Sequence, residues 1–261
     1  DEAFLLSGTP YFDNLLLAQL RPNLPEPVHI GRFECIPAAD GRPEEIRWVD
    51  DPVNGFIRIW EAPKEGFPYV IGGDTAGDGS DSFTAFVIDN TTGMQVAELQ
   101  HTFSERLYAQ QMYCLGSYFN HALVGIEVNF STYPEMMLED WQYPHLYQRQ
   151  RFDKITRDMV QALGWVTSPK TRPVMLANLH TVMEEHPECI RSSWTMGEML
   201  TFAKNGDKPE ALEGEHDDLV MAAGICHQIR GQQRFTVLEK APEHPQKLID
   251  KLEKGKKRRR K

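Results

Sequence analysis

No stretch of this 261-residue chain approaches 18 uninterrupted apolar residues, so nothing in it reads as a membrane-spanning helix. The start lacks the charged and then apolar pattern of a signal peptide. It also lacks an initiator Met, as expected for part of a longer chain. Cysteine is scarce. Cys35, Cys114, Cys189 and Cys226 stand far apart, which excludes a CxxC zinc knuckle or redox pair and leaves buried free thiols as the expectation. No Gly-Lys-Ser or Gly-Lys-Thr occurs, so there is no Walker phosphate loop. Internal repeats are absent, and the only biased segment is at the C-terminus.

What remains is a globular composition, 41% hydrophobic and 25% charged, enough to build one large domain with an appendage. The net charge of −10 hides an asymmetry. The tail "KLIDKLEKGKKRRRK" (247–261) sets nine Lys and Arg against Asp250 and Glu253, a net +7, which leaves −17 for the rest. Such a body repels nucleic acid unless cations neutralise it locally. The tail suits either nucleic-acid contact or a solubilising role.

Along the chain, residues 1–55 read as an irregular lead-in with one helix at "YFDNLLLAQL". Strands are expected at 56–63, 68–74, 82–89 and 94–103, the second a continuous apolar run of the kind buried on both faces. A helix over 104–121 has Ser104 as its N-cap. A buried strand follows at 122–129, then a short helix at 131–141. "LYQRQRFD" and "LGWVTS" look like a small strand pair. Helices are expected at 171–186, with Pro173 in the first turn, and at 214–233; "SWTMGEMLTFAKN" mixes both signals. Three adjacent antiparallel strands followed by helix–strand units describe an α/β protein, a mixed sheet with helices on its faces.

The acidic residues fall in a pattern. Asp74 ends the run "PYVIGGD", Glu127 ends "LVGIE", and Asp217 and Asp218 open the last helix. Ligands of α/β sheets gather beyond the carboxyl ends of parallel strands, and a helix N-terminus placed there adds its carboxylates to the same rim. Singly, each has an ordinary explanation: a turn carboxylate, a buried ion pair, a helix cap. Together they repel one another, and a divalent cation relieves that repulsion. Oxygen-only donors point to Mg²⁺ or Mn²⁺ rather than zinc. Paired hard cations are a standard device for displacement at a phosphate, one activating a water and the other stabilising the leaving 3′ oxygen.

Other readings of "GGDTAGDGSDSF" fail on spacing. An EF-hand from Asp74 places Ala85 at its twelfth position, and one from Asp78 places Phe83 where Gly is required. A GxGxxG loop fails because Asp74 interrupts one register and Ser82 ends the other. An actin-like sugar kinase needs a second Asp-Gly-rich phosphate loop, and none is found.

"GGDTAGDGSDSFTAFVID", "LVGIEVN" and "GEHDDLVMAAGI" resemble the three acidic motifs of the C-terminal nuclease domain of tailed-bacteriophage terminase large subunits, in the RNase H-like superfamily. "EAFLLSGTPYFD" is similar to the segment leaving the ATPase half of those proteins, and "TRPVMLANLHTVMEE" followed by "EMLTF" fits their late helices. The resemblance covers residues 2–232. It implies an RNase H-like mixed sheet over 56–235, a lead-in over 1–55 from an ATPase domain, and a basic tail over 236–261.

The implied activity is a metal-dependent endonuclease that cuts concatemeric viral DNA during genome packaging. Carried onto this chain, Asp74, Glu127 and Asp218 are the main ligands of two divalent cations, Mg²⁺ or Mn²⁺. Asp217 is the second choice of its pair, and Asp81 a further acidic position. Lys170, Arg172 and His216 are candidate DNA contacts, His216 also a candidate for orienting a carboxylate. The implied partners are double-stranded DNA, the terminase ATPase domain, the portal protein and the small terminase subunit, with no membrane. The implied place is the host cytoplasm, at the procapsid portal. Rival readings are another RNase H-like nuclease of the resolvase type and a catalytically weak docking module for DNA or portal.

Overall fold

A computed structural model of the chain describes residues 9–75, 77, 82–153, 155–206 and 208–233. The lead-in gives a two-residue strand, β1 (Thr9–Pro10), and helix α1 (Asn14–Leu20), whose first turn is capped by Asp13. Two long strands follow, β2 (His29–Pro37) and β3 (Pro43–Asp50), then the short β4 (Ile57–Ile59). Next come β5 (Tyr69–Asp74), β6 (Phe83–Asp89) and β7 (Gln95–His101), helix α2 (Glu105–Tyr118), β8 (Leu123–Ile126) and helix α3 (Tyr133–Asp140). The hairpin β9 (Gln148–Phe152) and β10 (Met159–Leu163) leads to α4 (Thr171–Glu185) and α5 (Ser193–Leu200). Then β11 (Phe202–Asn205) pairs with β12 (Lys208–Ala211), and α6 (Asp218–Ile229) runs into a short 3-10 turn, Arg230–Gln232.

Among the described residues the central sheet has seven strands in the order β3-β2-β4-β7-β6-β5-β8. Only β5 and β8 run parallel, with Val70 opposite Leu123 and Gly73 opposite Ile126. This curled mixed sheet flanked by helices is an RNase H-like fold. Alternate residues of its strands feed two cores. Ile71, Val87 and Leu99 pack under α2 and α3, while Val70, Phe86 and Ile88 pack under α4, α5 and α6. Burial of both faces explains why β5 and β6 are apolar without alternation, as the sequence suggested.

The helix α6 lies directly on β5, and glycine permits it. A Cβ on Gly72 would stand 2.3 Å from both the Ala222 carbonyl oxygen and the Cys226 nitrogen. These are backbone atoms, so a side chain here would lift the helix. The approach sets where the N-terminus of α6 meets the ends of the central strands.

The structure corrects the expectation of irregular backbone over the lead-in. Residues 29–50 form β2 and β3, which extend the sheet by two strands. Their outer faces carry ion pairs such as Arg47–Glu34 and Arg32–Asp51, which dilute the apolar signal. Gln111 of α2 holds β2 from the inside, accepting from the Phe33 amide and donating to the Phe33 carbonyl. The small strand pair also differs in register. Its second strand is Met159–Leu163, and Trp165, expected inside it, instead bridges in parallel to Glu127.

Candidate active site

The neighbouring parallel strands β5 and β8 end together, β5 on an acid and β8 one residue before one. Asp74 is the last residue of β5. Glu127 follows β8, its amide donating to the Gly73 carbonyl at 2.9 Å, so the ladder carries the Glu127 side chain to the rim beside Asp74. The third acidic element arrives from α6, with Asp217 at its N-cap and Asp218 as its first residue. Asp74, Glu127, Asp217 and Asp218 all line one cleft of about 410 Å³. This is the cluster expected from the sequence.

Burial makes the cluster costly. Asp74 is 8% exposed, Glu127 4% and Asp218 8%. Oδ1 of Asp74 is buried with no hydrogen-bond partner. Burial, then the nearby Glu127 carboxylate and the charges of Asp218 and Asp217, raise the Asp74 carboxyl well above the usual carboxylate range. A buried carboxylate with an unpaired oxygen among like charges is suited to a bound cation. Among the described residues, no three His, Cys, Asp or Glu side chains already form a coordination shell, so the acids are neighbours without being drawn tight.

Other partners fix the acids in place. Asp218 Oδ2 accepts the Ser82 amide at 3.0 Å, and its carbonyl accepts the Thr84 hydroxyl at 2.9 Å, which ties α6 to β6. His216 Nδ1 lies 3.9 Å from Asp218 Oδ2. Arg172 donates to Asp217 Oδ2 at 3.1 Å and to the Pro209 carbonyl at 2.9 Å. Both candidates thus stand beside an acid of the cluster. Lys170 instead holds the exposed N-cap position of α4 and is not part of the cleft lining. Asp81 lies outside the described residues.

Several contributors had little or no sequence signal. Thr75, Asn129, Phe130, Thr167, Lys208 and Glu210 complete the cleft. Asn129 ties two loops together, donating to the Thr167 carbonyl and accepting its amide at 3.1 Å. Its place two residues after Glu127 is the only hint the sequence offers. Lys208 comes from β12, a strand that was not foreseen. Glu198 of α5 sits behind the cluster and accepts the Leu219 and Val220 amides at 2.7 and 3.2 Å. Burial, then the Asp218 charge, pushes its carboxyl up to about 9.

No protein-family model matches the chain, and no curated protein is detectably related to it. Solved structures are similar over nearly its whole length. The large terminase nuclease from thermophilic phage G20c superposes with a TM-score of 0.56 at 14% identity, covering 87% of this chain and all of that one. The same nuclease with bound magnesium gives 0.55 at 14% identity, over 85% of this chain and 97% of that one. With bound cobalt it gives 0.55 at 15% identity, over the same shares.

The chain has the fold of a phage large-terminase nuclease. Sequence identity this low carries the fold and not the chemistry. What the acidic rim of this terminase-nuclease fold can do follows from this chain's own residues.

Proposed function

We propose that the protein is a divalent-metal-dependent endodeoxyribonuclease that cleaves concatemeric viral DNA during genome packaging. The observation that carries this reading is the buried Asp74 carboxylate, with an unpartnered oxygen, at a rim shared with Glu127, Asp217 and Asp218. The donor set fits hard divalent cations, because Asp74, Glu127, Asp217 and Asp218 offer carboxylate oxygens and, among the described residues, neither His nor Cys lines the cleft. The G20c nuclease of like fold was solved with magnesium and with cobalt bound, which supports the same reading here.

Asp74, Glu127 and Asp218 would hold the cations, Mg²⁺ or Mn²⁺, with Asp217 assisting. Bound there, they would supply charge that activates water and stabilises the leaving oxygen of a phosphodiester. The chain's own part is preorganisation. The β5–β8 ladder fixes the spacing of Asp74 and Glu127, and the ties from Ser82 and Thr84 fix Asp218. Arg172 and Lys208, paired with Asp217 and Glu210, bring positive charge into an acidic cleft and would meet a phosphate backbone there. His216, beside Asp218, orients that carboxylate. The substrate is double-stranded DNA. An ATPase domain, the portal protein and a small terminase subunit would complete the assembly, at the procapsid portal in the host cytoplasm.

Nicking of supercoiled plasmid tests the reading, with Mn²⁺, Mg²⁺ or EDTA, beside Asp74→Ala. Metal-dependent nicking that the substitution abolishes is expected. Nicking that survives in EDTA or in Asp74→Ala would remove the carboxylate rim from the mechanism. A strong preference for branched DNA would favour a resolvase-type nuclease instead.

A further inference from the structure

A helix start leaves its first four N–H groups without intrahelical partners, and the usual remedy is the N-cap side chain accepting from the second or third residue. Among the described residues three of the six α-helices follow that rule, while α3 and α4 start without a side-chain cap. Asp13 caps α1, Ser104 caps α2 and Ser192 caps α5, each through its own side chain. The helix α6 does not. Its N-cap residue, Asp217, is of a type well suited to the task, yet its side chain makes no cap hydrogen bond. Asp217 Oδ2 takes the Arg172 guanidinium and lines the cleft.

The amides that Asp217 leaves are satisfied from another helix. Leu219 and Val220, the second and third residues of α6, both donate to Oε2 of Glu198, at 2.7 and 3.2 Å. Gln100 of β7 donates to the other oxygen of Glu198 at 3.3 Å, which anchors this external cap to the central sheet. Glu198 itself rides on α5, fixed at its start by the Ser192 cap. The link from sheet to α5 to the first turn of α6 passes through one carboxyl group.

We infer that Glu198 is a positioning residue for the acidic pair: by capping α6 from outside, it leaves Asp217 and Asp218 facing the cleft instead of capping their own helix. The inference rests on the proposed role of that pair as cation ligands. Without Glu198, the Leu219 and Val220 amides need an acceptor, and the side chain in the ordinary capping position is the carboxylate of Asp217. Taking up that task turns Asp217 away from Arg172 and the cleft.

The test is a calorimetric titration of the whole chain with Mn²⁺, on the wild type, Glu198→Ala and Glu198→Gln, below the melting temperature of each. Hydrogen exchange at the Leu219 and Val220 amides is followed in parallel. Glu198→Ala is expected to weaken Mn²⁺ binding by about tenfold and to speed exchange at both amides. Glu198→Gln keeps an acceptor oxygen of the same reach, so it is expected to stay within about threefold of the wild type and to keep both amides protected.

A lowered melting temperature in Glu198→Ala with unchanged Mn²⁺ affinity would mean a structural role only and would overturn the inference. So would a loss in Glu198→Gln as large as that in Glu198→Ala, because the charge and not the cap would then matter. A wild type that binds no Mn²⁺ would overturn the inference and the cation reading together. A wild type that binds Mn²⁺, shows the expected loss in Glu198→Ala and fails to nick plasmid would uphold the positioning role and sink only the nuclease reading.

Discussion

Replacing Asp74 with Asn removes a charge from a place where folding alone gives it little support. The side chain is 8% exposed, Oδ1 has no partner, and Glu127 lies beside it. Asn keeps a polar group there but removes the buried charge and its repulsion with Glu127, Asp218 and Asp217, so Asp74→Asn is expected to stabilise the metal-free protein by about 1–3 kcal/mol near neutral pH. For a chain of this size each kcal/mol moves the melting temperature by about 2–4 °C, giving a rise of roughly 2–12 °C in EDTA.

The pH dependence follows from the direction of the shift. The folded protein holds the Asp74 proton more tightly than the unfolded chain does. Wild-type stability therefore falls as pH rises from about 4, where the unfolded Asp ionises, up to the raised folded value, and is level beyond it. The gap between variant and wild type should open over that window and close at lower pH. Saturating Mn²⁺ should reverse the order by stabilising only the wild type. Scanning calorimetry across pH, with and without Mn²⁺, reads both effects. A variant less stable than the wild type in EDTA, or a gap independent of pH, would refute the reasoning.

Other expectations are simpler. Gly72→Ala pushes a Cβ to within 2.3 Å of backbone atoms of α6, so it should destabilise by more than the ~1–3 kcal/mol of ordinary overpacking; a denaturant midpoint within error of the wild type would contradict the close packing. Burial, then the Arg230 charge, lowers His227 from its ordinary 6.5 to about 3, and neither ring nitrogen has a partner. The stability it allows is present in full above about 6.5 and lost as pH falls, by about 1.4 kcal/mol per pH unit, a slope opposite to that of Asp74 which His227→Leu should remove from the acid limb of a stability curve. Lys208→Ala should raise the KM for plasmid nicking several-fold, and Lys170→Ala should raise it less, because only Lys208 lines the cleft; equal effects would mean that DNA contact is not centred there.

Much of the site was legible because burial and chemistry leave the same mark in the sequence. A strand covered on both faces has to be apolar throughout, so the abrupt change from "PYVIGG" to Asp74, and from "LVGI" to Glu127, marks where β5 and β8 leave the core. Parallel pairing then brings the two acids together. The strands β2 and β3 were not legible, since one face is solvated and its pairs of Arg with Asp or Glu read as an irregular polar stretch. The cap on α6 was hidden for a different reason. Asp217 has the sequence signature of a cap, and only the structure shows Glu198, 19 positions earlier, taking its place. Lys208 reaches the cleft from a strand of four residues whose "KPEA" gives no periodic signal.

The central claim is that the rim of carboxylates at the ends of β5 and β8 holds divalent cations. Anomalous diffraction from crystals of the chain soaked in Mn²⁺ tests it most directly. The account predicts manganese peaks in contact with the carboxylates of Asp74, Glu127 and Asp218, lost in Asp74→Ala crystals. Saturating Mn²⁺ that leaves this cleft without a peak, or a peak there that persists in Asp74→Ala, would contradict it.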